Sequence, residues 1–215
     1  MIDLDREGDV FVLHMRGGEN RFAPPFLDAF EAALEQVEKT PGPAALVTTG
    51  EGKFYSNGLD MPTLAEAGKS GREGLAAHLG RVHRLFARVL AFPRITVAAI
   101  NGHAFAGGAM LATAFDHRIM REDRGYWCLP EVDLGLPLTT EMYDGLAAHL
   151  PRPTLAEAAL TGRRYTGPEA LTAGIVTEVA PEDEVLERAV AVAAAMAGKN
   201  RTVIAAHKQL LYGLD

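Results

Sequence analysis

The sequence has one cysteine, Cys128, which excludes an intrachain disulfide and a cysteine-based zinc cage. A lone thiol fits a reducing compartment, and its simplest role is that of a small buried hydrophobe. Long apolar runs are missing too. Stretches such as Ile95–Ile100 and Val190–Ala197 fall far short of the roughly 20 residues that a membrane-spanning helix needs, so no membrane association is expected. The opening residues, Met1-Ile2-Asp3-Leu4-Asp5-Arg6, carry acids and lack the basic flank and apolar run of a secretory signal; a cytoplasmic protein is expected. No Lys/Arg run interrupts a formal charge of −7, and without a basic stripe nucleic-acid binding is disfavoured. That charge leaves a polyanionic substrate open, because a few local cations such as Arg21 and Lys53 are enough to receive phosphates.

What is present is an ordinary globular chain: 215 residues, 48% apolar and 23% charged, enough for one substantial core. Alternating residues Val10 to Leu13 read as the second of two short strands, with the turn at Glu7-Gly8-Asp9. Pro24-Pro25 opens a helix whose apolar positions Phe26, Phe30, Leu34 and Val37 recur at helical spacing, and a buried strand follows over Ala44–Thr49. Between Met61 and Arg81 the composition of Ala, Glu, Lys, Gly and Ser predicts a mobile, partly helical excursion, with a helix from about His78 to Ala91. Ile95–Ile100 has the β-branched apolar pattern of a strand covered on both faces. A helix over Gly107–Ala114, strands at His117–Met120 and Trp127–Leu129, helices across Glu141–Leu160 and two closing helices near Pro181–Ala197 and Arg201–Leu211 complete an α/β pattern.

Two glycine-bearing segments at strand ends carry the chemistry: Gly52-Lys53-Phe54-Tyr55-Ser56-Asn57-Gly58-Leu59-Asp60 and Asn101-Gly102-His103-Ala104-Phe105-Ala106-Gly107-Gly108-Ala109. Asn-Gly and Gly-Gly pairs let the backbone turn sharply and aim N–H groups outward, the more so beside a helix start. Neither segment holds a GxxxxGK[ST] or GxGxxG phosphate fingerprint. Either segment alone is an unremarkable tight turn. Together, in this order and with Ile95–Ile100 before the second, they resemble the enoyl-CoA hydratase/isomerase (crotonase) family. The likeness runs from Glu19-Asn20-Arg21-Phe22 to the stretch Thr161–Val176.

That resemblance implies a crotonase (ClpP-like) ββα spiral, here residues 1–179, followed by a short C-terminal helical region, 180–215, used in assembly as a homotrimer or dimer of trimers. It implies an acyl-CoA thioester as substrate and no separate cofactor or metal. The backbone amides of Asn57 and Gly107 would form an oxyanion hole, and CoA would lie along the Arg21-Phe22 and Ser56–Asp60 loops, including Gly58 and Leu59, with Lys53 a further phosphate contact. Gly108, Met110, Trp127, Pro130 and Leu136 would be further substrate-binding positions.

Hydratases of the family use two glutamates. The alignment of Ala106-Gly107-Gly108-Ala109-Met110 puts Met110 where the first belongs, whereas Glu131, in Leu129-Pro130-Glu131-Val132-Asp133-Leu134-Gly135-Leu136-Pro137, falls on the second. A lone carboxylate beside an apolar tunnel suits proton transfer between two carbons of one substrate. The motifs look closest to plant-type Δ3,Δ2-enoyl-CoA isomerases, and burial against Trp127, Met110 and Leu136 is expected to raise the Glu131 pKa. A single-glutamate hydratase, a decarboxylase, a thioesterase and a non-catalytic binding subunit are the alternatives. Asp133, His103 and His117 are expected to be structural.

Overall fold

The computed structural model describes residues 2–213. It opens with an antiparallel hairpin, β1 (Ile2–Glu7) and β2 (Val10–Met15), turned at Gly8 with φ +60°. Pro24 and Pro25 then start α1 (Pro24–Lys39), where their missing N–H groups cost nothing, and Leu27, Phe30, Leu34 and Val37 form its buried stripe.

From here the chain repeats one move. A long strand is laid in a large sheet and a short strand follows at once in a second, smaller one, before a helix returns. β3 (Ala45–Gly50) leads into β4 (Phe54–Ser56), β5 (Thr96–Ile100) into β6 (His103–Phe105), and β7 (His117–Arg121) into β8 (Trp127–Cys128). The helices α2 (Met61–Lys69) and α3 (Gly71–Leu90) separate the first two turns, and α4 (Gly107–Thr113) the next two. A 3-10 turn over Pro130–Val132 follows, then α5 (Thr140–Ala147), α6 (Arg152–Thr161), β9 (Arg164–Tyr165), α7 (Gly167–Thr172), β10 (Glu178–Ala180), α8 (Val185–Met196) and α9 (Arg201–Tyr212). The large sheet has the order β1-β2-β3-β5-β7-β10, parallel beyond the first hairpin; the small one is β4-β6-β8-β9. This is the expected α/β spiral of ββα turns.

Strand alternation sends residues to two cores. Phe11, Leu13, Leu46, Ala98, Ile100 and Met120 face a large core built with α1, α3 and α4, whereas Val10, Val12, Val47, Val97, Ala99 and Ile119 face α8, whose Ala189 and Ala193 allow close approach. Among the described residues no helix is long and apolar enough to cross a membrane.

One expectation is corrected. The Met61–Arg81 segment is not a partly helical excursion but helical almost throughout, broken only where Gly71, at φ +75°, parts α2 from α3. Asp60 caps α2 by accepting from the Thr63 N–H at 3.0 Å, and α3 starts seven residues earlier than the sequence suggests. Helix propensity outweighed composition: Ala, Leu, Glu, Arg and Lys dominate both helices.

Candidate active site

The segment Glu19–Phe22 serves as a clamp on the first glycine-bearing loop. Asn20, buried and at φ +50°, donates from Nδ2 to the Tyr55 carbonyl at 2.9 Å and accepts at its own carbonyl from Ser56 Oγ at 2.8 Å. The Asn57 N–H donates to the Glu19 carbonyl at 2.8 Å, and Arg21 Nη1 donates to the Leu59 carbonyl at 2.9 Å. The Phe22 N–H donates to the Gly58 carbonyl at 2.8 Å.

These bonds settle which amide of the loop is free, and they correct the assignment to Asn57: its N–H is spent on Glu19 inside the protein and has no second proton to offer. In a trans peptide the C=O and the next N–H point opposite ways. With the Gly58 carbonyl drawn inward by Phe22, the Leu59 N–H on the same peptide points outward, and its donor strength rises because that carbonyl is already hydrogen-bonded. Gly107 is arranged in the same manner. The Ala106 carbonyl accepts the first intrahelical bond of α4, from Met110 N–H at 3.1 Å, so the Gly107 N–H leaves the helix end unpaired. Among the described residues neither the Leu59 nor the Gly107 N–H has a hydrogen-bond partner.

Two features bring the amides together. Ala106 sits at φ 51°, ψ −125°, a conformation that costs an alanine on the order of 1–3 kcal/mol and that turns β6 abruptly into α4. Gly58, at φ +73°, lies so close to Gly107 that a Cβ there would stand 2.7 Å from the Gly107 nitrogen. A Cβ on Gly108 would meet the Ser56 carbonyl at 2.1 Å, and one on Gly107 would meet the Phe22 ring at 2.9 Å. Glycine is thus required at all three positions by contact.

Glu131 follows β8, the strand that pairs with β6 beside this corner. The Ala106 N–H donates to the Cys128 carbonyl at 3.0 Å, and Glu131 follows three residues later in the 3-10 turn. Its Oε2 is buried without any partner, and burial pushes its pKa above the ordinary value. Leu136, expected to help bury it, is itself 51% exposed, and its backbone N–H donates to the Glu131 carbonyl at 2.9 Å. Trp127 is fully buried, its Nε1–H donating to the Ala109 carbonyl at 3.2 Å, and so braces α4 from behind.

Met110 is buried one turn into α4, on the wall of a mostly apolar cavity of about 330 Å³ that Phe86, Leu90, Ala114, Met142 and Tyr212 also line, together with His83, Arg84, Glu141 and Asp144. A thioether there adds no proton-transfer group. Several sequence-predicted contacts are occupied within the protein. Ser56 Oγ and Asp60 serve local hydrogen bonds, Phe22 is buried, and Arg21 pairs with Glu19 at 2.6 Å besides holding Leu59. Lys53 is exposed over the Phe54 ring, and Pro130 opens the 3-10 turn. His103 stacks on Tyr126, and Asp133 packs against the Gly162 backbone. Sequence reasoning missed Leu59 as an amide donor and Ala106 as the strained corner. The signal for the first was Gly58: a left-handed glycine reverses the chain, so the outward amide comes after it. Among the described residues no group of three or more His, Cys, Asp or Glu side chains is placed to hold a metal ion.

Two unpaired amides, a buried carboxylate with a raised pKa on the neighbouring strand's turn, and an apolar cavity walled by Met110 of the same helix as Gly107 supply the parts for proton transfer next to a developing oxyanion. Residues 6–212 match the profile of the family described as Enoyl-CoA hydratase/isomerase, and the chain belongs to that family, with the crotonase fold. It is similar to Enoyl-CoA delta isomerase 3 of Arabidopsis thaliana, 35% identical over 221 residues that cover 99% of this chain and 92% of the relative. It is also similar to a putative enoyl-CoA hydratase of Thermus thermophilus, 35% identical and covering 100% of this chain and 84% of the other. Among solved structures, the apo enoyl-CoA isomerase of Mycobacterium tuberculosis superimposes with a TM-score of 0.90 at 28% identity, covering 99% of this chain and 91% of that one. An enoyl-CoA hydratase of Mycobacterium marinum follows at 0.88 and 26%, with coverage of 99% and 91%.

Proposed function

We propose that the protein is a Δ3,Δ2-enoyl-CoA isomerase that moves the double bond of a 3-enoyl-CoA into conjugation with its thioester. The observation that carries this reading is the single proton-transfer group: Glu131 with its orphaned, buried Oε2, and Met110 where a hydratase would place a second carboxylate. Glu131 takes a proton from C2, the negative charge moves onto the thioester oxygen held by the Leu59 and Gly107 N–H groups, and the same carboxyl returns the proton to C4. The net change is one shifted double bond, and no water is consumed. A carboxyl whose burial favours the neutral form is suited to both halves of that cycle. The family membership and the likeness to Arabidopsis enoyl-CoA delta isomerases support the substrate class. In this reading the CoA moiety lies along the Lys53–Asp60 loop, where Lys53 is exposed.

The test is the absorbance rise of a conjugated thioester when trans-3-hexenoyl-CoA is mixed with the protein. The wild type is expected to give the rise and Glu131→Gln to lose at least about 10²-fold in rate. No rise with the wild type, or faster hydration of trans-2-hexenoyl-CoA than isomerisation, overturns the reading.

A further inference from the structure

The cavity beside Met110 is lined in part by Tyr212, a residue of the last helix. Resting on the isomerase reading, we propose that Tyr212 is the fixed end wall of the acyl cavity and confines the substrate to a short or medium acyl chain, with a break near eight carbons.

The direction of the cavity follows from α4. Gly107 marks the thioester end, and Met110 and then Ala114, both on the cavity wall, lie progressively further along. Seven residues at 1.5 Å each put Ala114 about 10 Å from Gly107. Just past Ala114 the helix gives way to Asp116, and here α9 is pinned across its end. Lys208 Nζ donates to Asp116 Oδ2 at 2.8 Å and to the Arg94 carbonyl at 3.1 Å, with the Lys208 side chain 6% and the Asp116 side chain 12% exposed.

Tyr212 is four residues on from Lys208, on the same face of α9, and lines the cavity. It has its own anchor: its hydroxyl and His149 Nε2 are 2.9 Å apart in a hydrogen bond, with the ring centroids 5.0 Å apart. Burial, with Arg118, Lys208 and His117 nearby, keeps His149 neutral down to about 3, so this bond persists unchanged across the working range of pH. Anchored at Lys208 and at its own hydroxyl, Tyr212 is a wall and not a flap. An extended chain advances about 1.25 Å per carbon when bonds of about 1.5 Å zigzag, so about eight carbons span the about 10 Å from Gly107 to Ala114, the length that Tyr212 closes in this proposal.

The experiment is calorimetric binding of saturated acyl-CoAs of 4, 6, 8, 10, 12 and 16 carbons, which requires no turnover, on wild type, Tyr212→Ala, Tyr212→Phe and Ala114→Leu. Up to the wall, each methylene is expected to tighten binding about fourfold. Beyond about eight to ten carbons the wild type is expected to gain nothing or to weaken. Tyr212→Ala moves the break to chains longer by about two carbons or more, Tyr212→Phe leaves it in place because the ring remains, and Ala114→Leu moves it to shorter chains. Affinity that climbs steadily to 16 carbons in the wild type, or a break that none of the variants moves, overturns the proposal. Turnover of 3-enoyl-CoAs is read separately. An active isomerase with no break refutes only the wall, a break without isomerisation refutes only the isomerase reading, and no binding of any acyl-CoA refutes both.

Discussion

Substituting Gly58 by alanine separates the chemistry of the site from its stability. The new Cβ would stand 2.7 Å from the Gly107 nitrogen and 3.1 Å from the Phe105 carbonyl, so it covers the amide that the reaction needs. The backbone there is at φ +73°, where a side chain costs about 1–2 kcal/mol, and the close backbone contacts add an overpacking cost of about 1–3 kcal/mol. For a chain of this size the two together correspond to a melting temperature lower by roughly 4–20 °C. The loss of one oxyanion donor is a larger effect on rate: about 10²–10³ in kcat. The assay is the initial rate of conjugation of trans-3-hexenoyl-CoA at saturating substrate, with circular dichroism melting on the same preparations. A variant that melts within this range yet keeps kcat within about threefold of wild type would refute the placement of the oxyanion at the Gly58–Gly107 contact. Loss of KM alone, with kcat intact, would refute it equally, since the amides are argued to act on charge that develops in the reaction.

How far the sequence revealed this molecule depended on element length and on backbone direction. Helices with a long buried stripe, such as α1, were legible from spacing, although its first buried position is Leu27 and not the expected Phe26, and so was β5, whose five residues are all buried. β4 and β6 were not, because three-residue strands inside Gly-rich motifs carry too few residues for a period of two; β9 and β10 share that fate. α2 escaped because none of its residues is buried, leaving no apolar periodicity to find. At the site, Gly107 and Glu131 stood out as residue types in a pattern. Leu59 did not, since its contribution is a peptide N–H and its side chain is incidental. Which amide faces outward was decided by the inward bonds of Asn57 to Glu19 and of Phe22 to Gly58, partners 38 and 36 residues distant in sequence that no local pattern encodes. Arg21 reads as a phosphate ligand, and in the fold it also holds Glu19 and the Leu59 carbonyl, a use that the charge alone does not disclose.

Lys208→Ala leaves Asp116 buried without its cation and is expected to cost about 3–5 kcal/mol, measured by urea unfolding; Lys208→Met, which keeps the stem, is expected to lose no less. His149, held neutral to about 3 in the fold and free to protonate near 6.5 in the unfolded chain, makes stability fall as pH drops from about 6.5 toward 3 at up to about 1.4 kcal/mol per unit; His149→Phe is expected to flatten that limb in a pH series of melts. For catalysis, kcat/KM is expected to fall as pH drops through the raised Glu131 value, because the base must be ionised in the free enzyme. The same shift has an opposite consequence for folding. A carboxyl whose folded value lies above its ordinary 4.5 binds its proton more tightly in the native state than in the unfolded chain, so the native state loses stability as pH rises from the ordinary value through the raised one. Above that raised value the wild type holds an ionised group where burial favours a neutral one. Glu131→Gln keeps the shape, removes the charge, and is expected to melt higher than wild type at pH 7 while losing isomerisation; the gap should close as pH falls below about 4, where both side chains are neutral. A Gln variant that melts lower than wild type at pH 7 and equally low at pH 4 would mean that the glutamate is satisfied in the fold, which would remove the physical reason for assigning it the proton transfer.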